Sequence, residues 1–319
     1  MSWQNRLICW YLRRRFLPST REPIDVARVR AHTSRRVWSP PTPAGFELRE
    51  RYAPGDAPLR GEWLVRQTAA APATCTILYL HGGGYYFCSP QSHRSITFGL
   101  APRTGADVFS LDYRLAPEHP FPAAVDDAVA AWRQLLAAGR PAASMVIAGD
   151  SAGGGLALAT LVALRDAGDP LPAGAVLYSP WTDLASTGAS IRENDGRDPM
   201  FCGDVFARVA PLYLGTASAT HPYVSPVYAD LHGLPPLFML AGCTETLLDD
   251  TRRAADRARA AGVEVDCRIG RDLPHVWPIY APFLPEARQA LDDTARFVRR
   301  VTAAANLRGP QSSETSIAS

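Results

Sequence analysis

Gly149-Asp150-Ser151-Ala152-Gly153 is the stretch on which the reading of this chain turns. An apolar run, Met145–Ala148, precedes it, and Gly153-Gly154-Gly155 leads into Leu156–Leu164. The pattern G-x-S-x-G between a strand and a helix is the tight turn that lifts a serine hydroxyl clear of a sheet as a nucleophile. Small residues flank the serine because such a turn leaves no room for side chains. The amides that open the helix then face any negative charge developing beside the serine. The bland alternative is a glycine-rich helix start with an incidental serine, and it gives no reason for the second glycine motif described below.

Outward from this turn, apolar runs at Thr76–Leu80, Asp107–Leu111, Met145–Ala148, Ala173–Tyr178, Pro236–Leu240 and Glu264–Ile269 read as strands. Helical patterns lie between most of them, at Ser92–Thr104, Ala123–Ala138, Ala152–Ala167 and Asp249–Ala261, and Pro285–Ala304 closes the series. Such alternation predicts one α/β domain over residues 1–319, with a mostly parallel sheet covered by helices on both faces. Between Trp181 and about Val227 the rhythm breaks into turns, the segment Asn194–Pro199 and a short helix near Val205–Leu214. An insertion of that size predicts a lid or substrate-binding cap. Residues 1–38 read as amphipathic helices interrupted by Pro18 and Pro23, with Trp3, Leu7, Trp10 and Tyr11 on one stripe. Exposed together these four would form a sticky patch, so their burial is expected. Ser39–Pro43 reads as a linker, and the polar residues 309–319 as a disordered tail.

The second motif is His81-Gly82-Gly83-Gly84, directly after the strand Thr76–Leu80. A glycine run there lets backbone N–H groups converge on one point, as the oxyanion of acyl transfer requires. The amides of Gly83, Gly84 and Ala152 are the expected donors. No Lys-Ser/Thr pair follows, which excludes a phosphate-binding P-loop. His81 sits at the strand end and is read as orienting the loop. A serine nucleophile needs a base, and the base a carboxylate to fix its tautomer. Acid and base are expected in that order after the serine. Of His221, His232 and His275, only His275 lies in a loop after a strand at the nucleophile's end of the sheet; the other two read as surface residues. Glu245 is the first carboxylate past Pro236–Leu240, and Asp249 and Asp250 fall where a helix begins. Glu245 is therefore preferred as the acid, with Asp249 as the alternative.

The net charge of +2 argues neither for nucleic acid nor for an acidic substrate. All 33 basic residues are arginines, and nine of them lie within residues 1–38 against only Glu22 and Asp25. That arm reads as a solvated helix face, with a membrane surface as the rival. Six cysteines lack any metal-ligand spacing and read as buried reduced thiols. The apolar run Leu7–Leu12 is too short for a secretory core, and no stretch approaches a membrane span. The expectation is a cytoplasmic enzyme with no metal, no cofactor and no stable membrane insertion; a homodimer is compatible with it.

Five stretches together resemble the bacterial hormone-sensitive-lipase family of carboxylesterases: His81–Gly84, Tyr113–Ala123, Gly149–Gly154, Ser179–Leu184 and His275–Trp277. The resemblance spans roughly Tyr79 to Pro282 and implies an α/β-hydrolase fold. It implies Ser151 as nucleophile, Glu245 as acid in a position usually held by aspartate, and His275 as base. The wording is most similar to the acetyl-hydrolase and ε-lactone-hydrolase branch. By this resemblance the cap combines residues 1–45 with about 182–220, and Tyr85 and Tyr86 line the substrate pocket. The implied activity is hydrolysis of short- to medium-chain acyl esters or lactones through an acyl-enzyme. Two alternatives are a lipase working at a lipid interface and a catalytically inactive ligand-binding relative.

Overall fold

The computed structural model describes residues 1–35, 39–67 and 75–308. Eight strands form one sheet: β1 (Phe46–Arg51), β2 (Gly61–Arg66), β3 (Thr76–Leu80), β4 (Asp107–Leu111), β5 (Met145–Asp150), β6 (Gly174–Tyr178), β7 (Leu237–Gly242) and β8 (Val265–Gly270). Their order is β1-β2-β4-β3-β5-β6-β7-β8. The β1–β2 and β2–β4 pairs are antiparallel and all others parallel. The inner strands β3 to β7 are buried along their whole length, which is why they read as mainly apolar runs. The first two strands have no such run. β1, Phe-Glu-Leu-Arg-Glu-Arg, is a charged edge strand whose outer half is exposed, a composition that discourages pairing with another chain.

The helices are α1 (Trp3–Arg15), α2 (Leu17–Thr20), α3 (Val26–Arg35), α4 (Arg94–Thr104), α5 (Ala123–Ala137), α6 (Ser151–Asp166), α7 (Ser190–Glu193), α8 (Val205–Leu214), α9 (Leu248–Ala260) and α10 (Pro285–Arg308). Side chains alternate across a strand, so each strand feeds two cores. Leu78, Leu80, Phe109, Ile147 and Leu177 meet Trp132 of α5, Leu156 and Leu161 of α6 and Ala254 of α9. Ile77, Tyr79, Val146, Val176 and Phe238 meet Ile96 of α4 and Leu291 and Val298 of α10. The doubly covered, mostly parallel sheet is the α/β arrangement expected from the alternation. The insertion after β6 carries α7 and α8 and no strand. The expected tail, 309–319, lies outside the described residues.

Three expectations need correction. Pro18 opens α2 at its first turn, where a missing N–H costs nothing, so it starts a helix as well as ending one. The stripe on α1 is not buried: Trp3 is 70% exposed, Leu7 55%, Trp10 56% and Tyr11 57%. The helix packs through its other side instead. Asn5 and Leu12 are buried, Ile8 touches the α4–α10 core, and the Asn5 amide donates to the Asp272 carbonyl at 2.9 Å. The cysteines are free, as expected, but only Cys75 and Cys202 are fully buried.

Candidate active site

β5 ends at Asp150 and α6 begins at Ser151, with no residue between them. Ser151 has φ +52, the left-handed region that a side chain tolerates only where its surroundings enforce it. The surroundings are close backbone. A Cβ on Gly149 would lie 2.2 Å from the Gly153 carbonyl oxygen, and one on Gly153 would lie 2.1 Å from that of Leu80. Both glycines are required by contact. Ser151 is half-buried and so reachable.

The glycine loop after β3 is tied to this turn by Asp150. Its Oδ1 accepts the Tyr79 hydroxyl at 2.7 Å and the Gly82 N–H at 3.0 Å, and its Oδ2 stands 3.1 Å from His93 Nε2. Burial pushes Asp150 toward its neutral form, but the His93 charge and hydrogen bond outweigh this and hold it below the usual carboxylate range. Gly83 and Gly84 follow with φ +113 and +57. Among the described residues their N–H groups have no acceptor, and neither has that of Ala152 in the first turn of α6. His81 is buried, stacks on Tyr113 with centroids 4.4 Å apart, and places Nδ1 2.7 Å from the Gly82 carbonyl. Burial, with His93 adding to it, pushes His81 down to about 3, so it stays neutral. Tyr85 and Tyr86 are buried rather than open to solvent; Tyr85 stacks on Tyr213 of α8 at 3.8 Å, joining the glycine loop to the insertion.

Glu245 and His275 come together from the loops after β7 and β8. His275 Nδ1 lies 2.7 Å from Glu245 Oε2, and both side chains are buried. Glu245 Oε1 accepts the Ser179 hydroxyl at 2.8 Å and the Gly242 N–H. Ser179 Oγ in turn accepts the Val276 N–H at 3.1 Å, so one hydroxyl aligns both loops. Gly242 is required here as well, because its Cβ would meet the Leu273 carbonyl oxygen at 2.1 Å. His275 Nε2 is buried with no hydrogen-bond partner among the described residues. Burial disfavours the imidazolium, but the Glu245 charge and hydrogen bond prevail and raise His275 above its ordinary value.

The rival carboxylates do other work. Asp249 accepts the Ser190 N–H at 2.9 Å, and Asp250 accepts those of Thr182 and Asp183, both at 2.8 Å. Both lie in the first turn of α9, as expected, and they also anchor the insertion to that helix. Burial pushes Asp250 up to about 8. His232 is exposed, but His221 is half-buried against Phe121, with centroids 5.0 Å apart, and is not a plain surface residue.

Four residues near the pair were given no role from the sequence. Ser179 was quoted within a motif without a role. Asp198 accepts the Thr246 N–H at 2.8 Å and the Met200 N–H at 2.7 Å, and Asn194 Nδ2 donates to the Glu245 carbonyl at 2.8 Å. The segment Asn194–Pro199 thus clasps the Glu245 loop. Phe201, just beyond it, sets its ring edge-on to His275 at 5.1 Å and to Phe16 at 5.8 Å. The arm joins the same surface: Arg30 of α3 donates to the Tyr86 carbonyl at 2.8 Å and the Ala116 carbonyl at 2.7 Å.

Comparison with known proteins places this architecture. A family profile described as alpha/beta hydrolase fold matches residues 77–279. An acetyl-hydrolase of Streptomyces hygroscopicus is 48% identical over 227 residues, 71% of this chain and 76% of that protein. An esterase of Acinetobacter venetianus is 36% identical over 242 residues, covering 76% and 79%. The solved structure of an esterase from the bacterial hormone-sensitive lipase family superposes with a TM-score of 0.85 at 40% identity, over 95% of this chain and 99% of that one. Another, an esterase/lipase from an uncultured bacterium, gives 0.86 at 38% identity over 95% and 100%. Sequence, fold and relatives agree, and the chain belongs to the hormone-sensitive-lipase-like serine carboxylesterases of the α/β-hydrolase fold.

Proposed function

We propose that Ser151, His275 and Glu245 form the catalytic triad of this ester hydrolase, acting on short- to medium-chain acyl esters or lactones through an acyl-enzyme. The observation that carries the reading is the buried Glu245–His275 pair, whose Nε2 remains unpartnered at the end of the sheet that carries Ser151. A base in this role needs one ring nitrogen held by a carboxylate and the other open to the serine proton.

In the first half-reaction Ser151 Oγ bonds to the substrate carbonyl carbon while His275 Nε2 takes the hydroxyl proton. The carbonyl oxygen becomes negative and meets the N–H groups of Gly83, Gly84 and Ala152. The intermediate collapses by breaking the bond to the alcohol oxygen, which receives the proton from His275. With an ester the alcohol departs; with a lactone it stays on the acyl chain as the ring opens. Water then gives His275 a proton and bonds to the acyl carbon; collapse breaks the bond to Ser151 Oγ, which takes the proton back from His275 as the acid leaves. Glu245 stabilises the imidazolium in both halves and fixes its tautomer.

The arm and the insertion act as the cap over the acyl pocket in this reading. Support comes from Arg30 on the glycine loop, Phe16 and Phe201 beside His275, and Tyr213 stacked on Tyr85. Tyr85 and Tyr86 then belong to the pocket wall. The names of the relatives, acetyl-hydrolase and esterase, favour a small acyl group.

The test is Ser151→Ala assayed on nitrophenyl esters of graded chain length and on lactones of graded ring size. The expected result is a loss of about four to six orders of magnitude in kcat with an unchanged melting temperature. Wild-type turnover should fall as the acyl chain lengthens. Near-wild-type hydrolysis by a folded Ser151→Ala protein would reject the mechanism, and a preference for long-chain emulsified substrates would reject the substrate class.

A further inference from the structure

The exposed stripe on α1 has the chemistry of a surface that meets lipid. At about 100° per residue, positions 3, 7, 10, 11 and 14 share one side of the helix. That side carries Trp3, Leu7, Trp10, Tyr11 and Arg14, while Asn5, Ile8 and Leu12 on the opposite side hold the helix to the protein. The anchorage is firm: the Ser2 N–H and hydroxyl donate to the Glu286 carboxylate at 2.7 and 2.8 Å, and Ser2 caps the helix through the Asn5 N–H. The apolar stripe is therefore held outward by packing on the other face and is not a loose end.

The charges on the helix itself are of one sign. α1 contains Arg6, Arg13, Arg14 and Arg15 and no acidic residue. Among the described residues, none of these four forms an ion pair with a carboxylate, in contrast to Arg28 and Arg30 of α3, which pair with Glu22 and Glu118. Arg6 and Arg13 flank the stripe on one side, Arg15 flanks it on the other, and Arg14 lies over the Trp10 ring at 5.7 Å. Tryptophan and tyrosine suit the polar–apolar boundary of a bilayer because each has an apolar body and a polar tip. Arginines beside them attract anionic headgroups, and their stems cover apolar surface while the charge stays in water. A second copy of this chain would bring a second cluster of unpaired arginines against the first, so the charge disfavours self-association through this face.

We propose that α1 is an interfacial helix that docks this enzyme reversibly on a bilayer rich in anionic phospholipid, with Trp3, Leu7, Trp10 and Tyr11 entering the headgroup boundary. No helix among the described residues is long and apolar enough to cross a membrane, so the attachment is peripheral. The site end of the sheet is carried along, since α1 rests on the Asp272 carbonyl three residues before His275.

The test is co-sedimentation of the full-length protein with vesicles of phosphatidylcholine alone or mixed with phosphatidylglycerol. Sedimentation velocity without lipid runs alongside. Binding is expected on the anionic vesicles only, falling at least about tenfold at high salt. The quadruple variant Trp3→Ser, Leu7→Ser, Trp10→Ser, Tyr11→Ser should lose binding by at least about tenfold. Its melting temperature should not change, because these side chains are more than half exposed and belong to neither core. Arg14→Gln with Arg15→Gln should weaken binding and flatten its salt dependence. Equal partitioning of wild type and quadruple variant overturns the proposal. So does a wild-type dimer that the quadruple variant turns into a monomer, which would assign the stripe to a second copy.

Discussion

Asp150 with His93 and Glu245 with His275 are both buried carboxylate–histidine pairs, 3.1 Å and 2.7 Å apart, at the same end of one sheet. Both histidines are raised above their ordinary value by the carboxylate, against the opposing effect of burial. They part at the second ring nitrogen. His93 Nδ1 stands 2.8 Å from Ser92 Oγ and 3.3 Å from the Ser89 carbonyl, so both of its nitrogens are engaged. Among the described residues, His275 Nε2 has no partner. A histidine closed at both ends braces a loop; one held at a single end can receive a proton. His81 shows the converse: among the described residues its Nε2 is also open, but its other nitrogen faces a carbonyl, and the attraction of Asp150 is outweighed by burial and by His93. An open nitrogen alone does not make a base.

The contrast is broken most severely at Glu245. Glu245→Gln should lower kcat by about four orders of magnitude with little change in KM, because the amide cannot support the imidazolium and offers N–H toward Nδ1, favouring the wrong tautomer. Asp249→Asn should stay within a few-fold, since Asp249 serves the Ser190 N–H. A larger loss for Asp249→Asn in steady-state assays would reverse the assignment.

A milder cut falls on the support of the pair. Ser179→Ala removes one hydrogen bond to Glu245 and one from Val276. At about 1–2 kcal/mol of lost alignment, kcat should fall roughly tenfold while KM holds. Unchanged kcat in a folded variant would show that Ser179 braces the loops without setting the geometry of the pair.

The smallest effect is a displacement along the pH axis. As the proposed base, His275 must be neutral to accept the proton, so activity should fall as pH drops through its pKa. Because Glu245 raises that pKa, the acid limb of kcat/KM should turn above ~6.5, the ordinary histidine value. The residual activity of Glu245→Gln should turn at lower pH, its raising partner gone. A limb near ~4 in the wild type would point to a carboxylate as the base.

How much of this was legible in the sequence depended on how local the contacts are. The Ser151 turn and the glycine loop are contiguous motifs whose shape follows from adjacent small residues, and both could be read directly. Glu245 and His275 were reached through chain order and strand ends, because a parallel sheet brings the loops after its strands to one edge. Asp150 stood inside the quoted motif with no role, since Tyr79, Gly82 and His93 meet it only across the β3–β5 pairing. Ser179 and Asp198 lie 66 and 48 residues from their partners, and no spacing announces such contacts. The same limit explains α1. Periodicity revealed its apolar stripe, but the helix carries a second apolar side in Ile8 and Leu12. Only the packing of the whole molecule decides which side turns inward.

The most direct measurement is the rate at which a fluorophosphonate forms its covalent adduct on Ser151, followed by mass spectrometry in wild type, His275→Gln and His93→Gln. The account predicts an adduct on Ser151 alone, a rate reduced by at least about three orders of magnitude in His275→Gln, and a loss under about tenfold in His93→Gln. Wild-type labelling by His275→Gln, or a greater loss in His93→Gln while that variant remains folded, would contradict it.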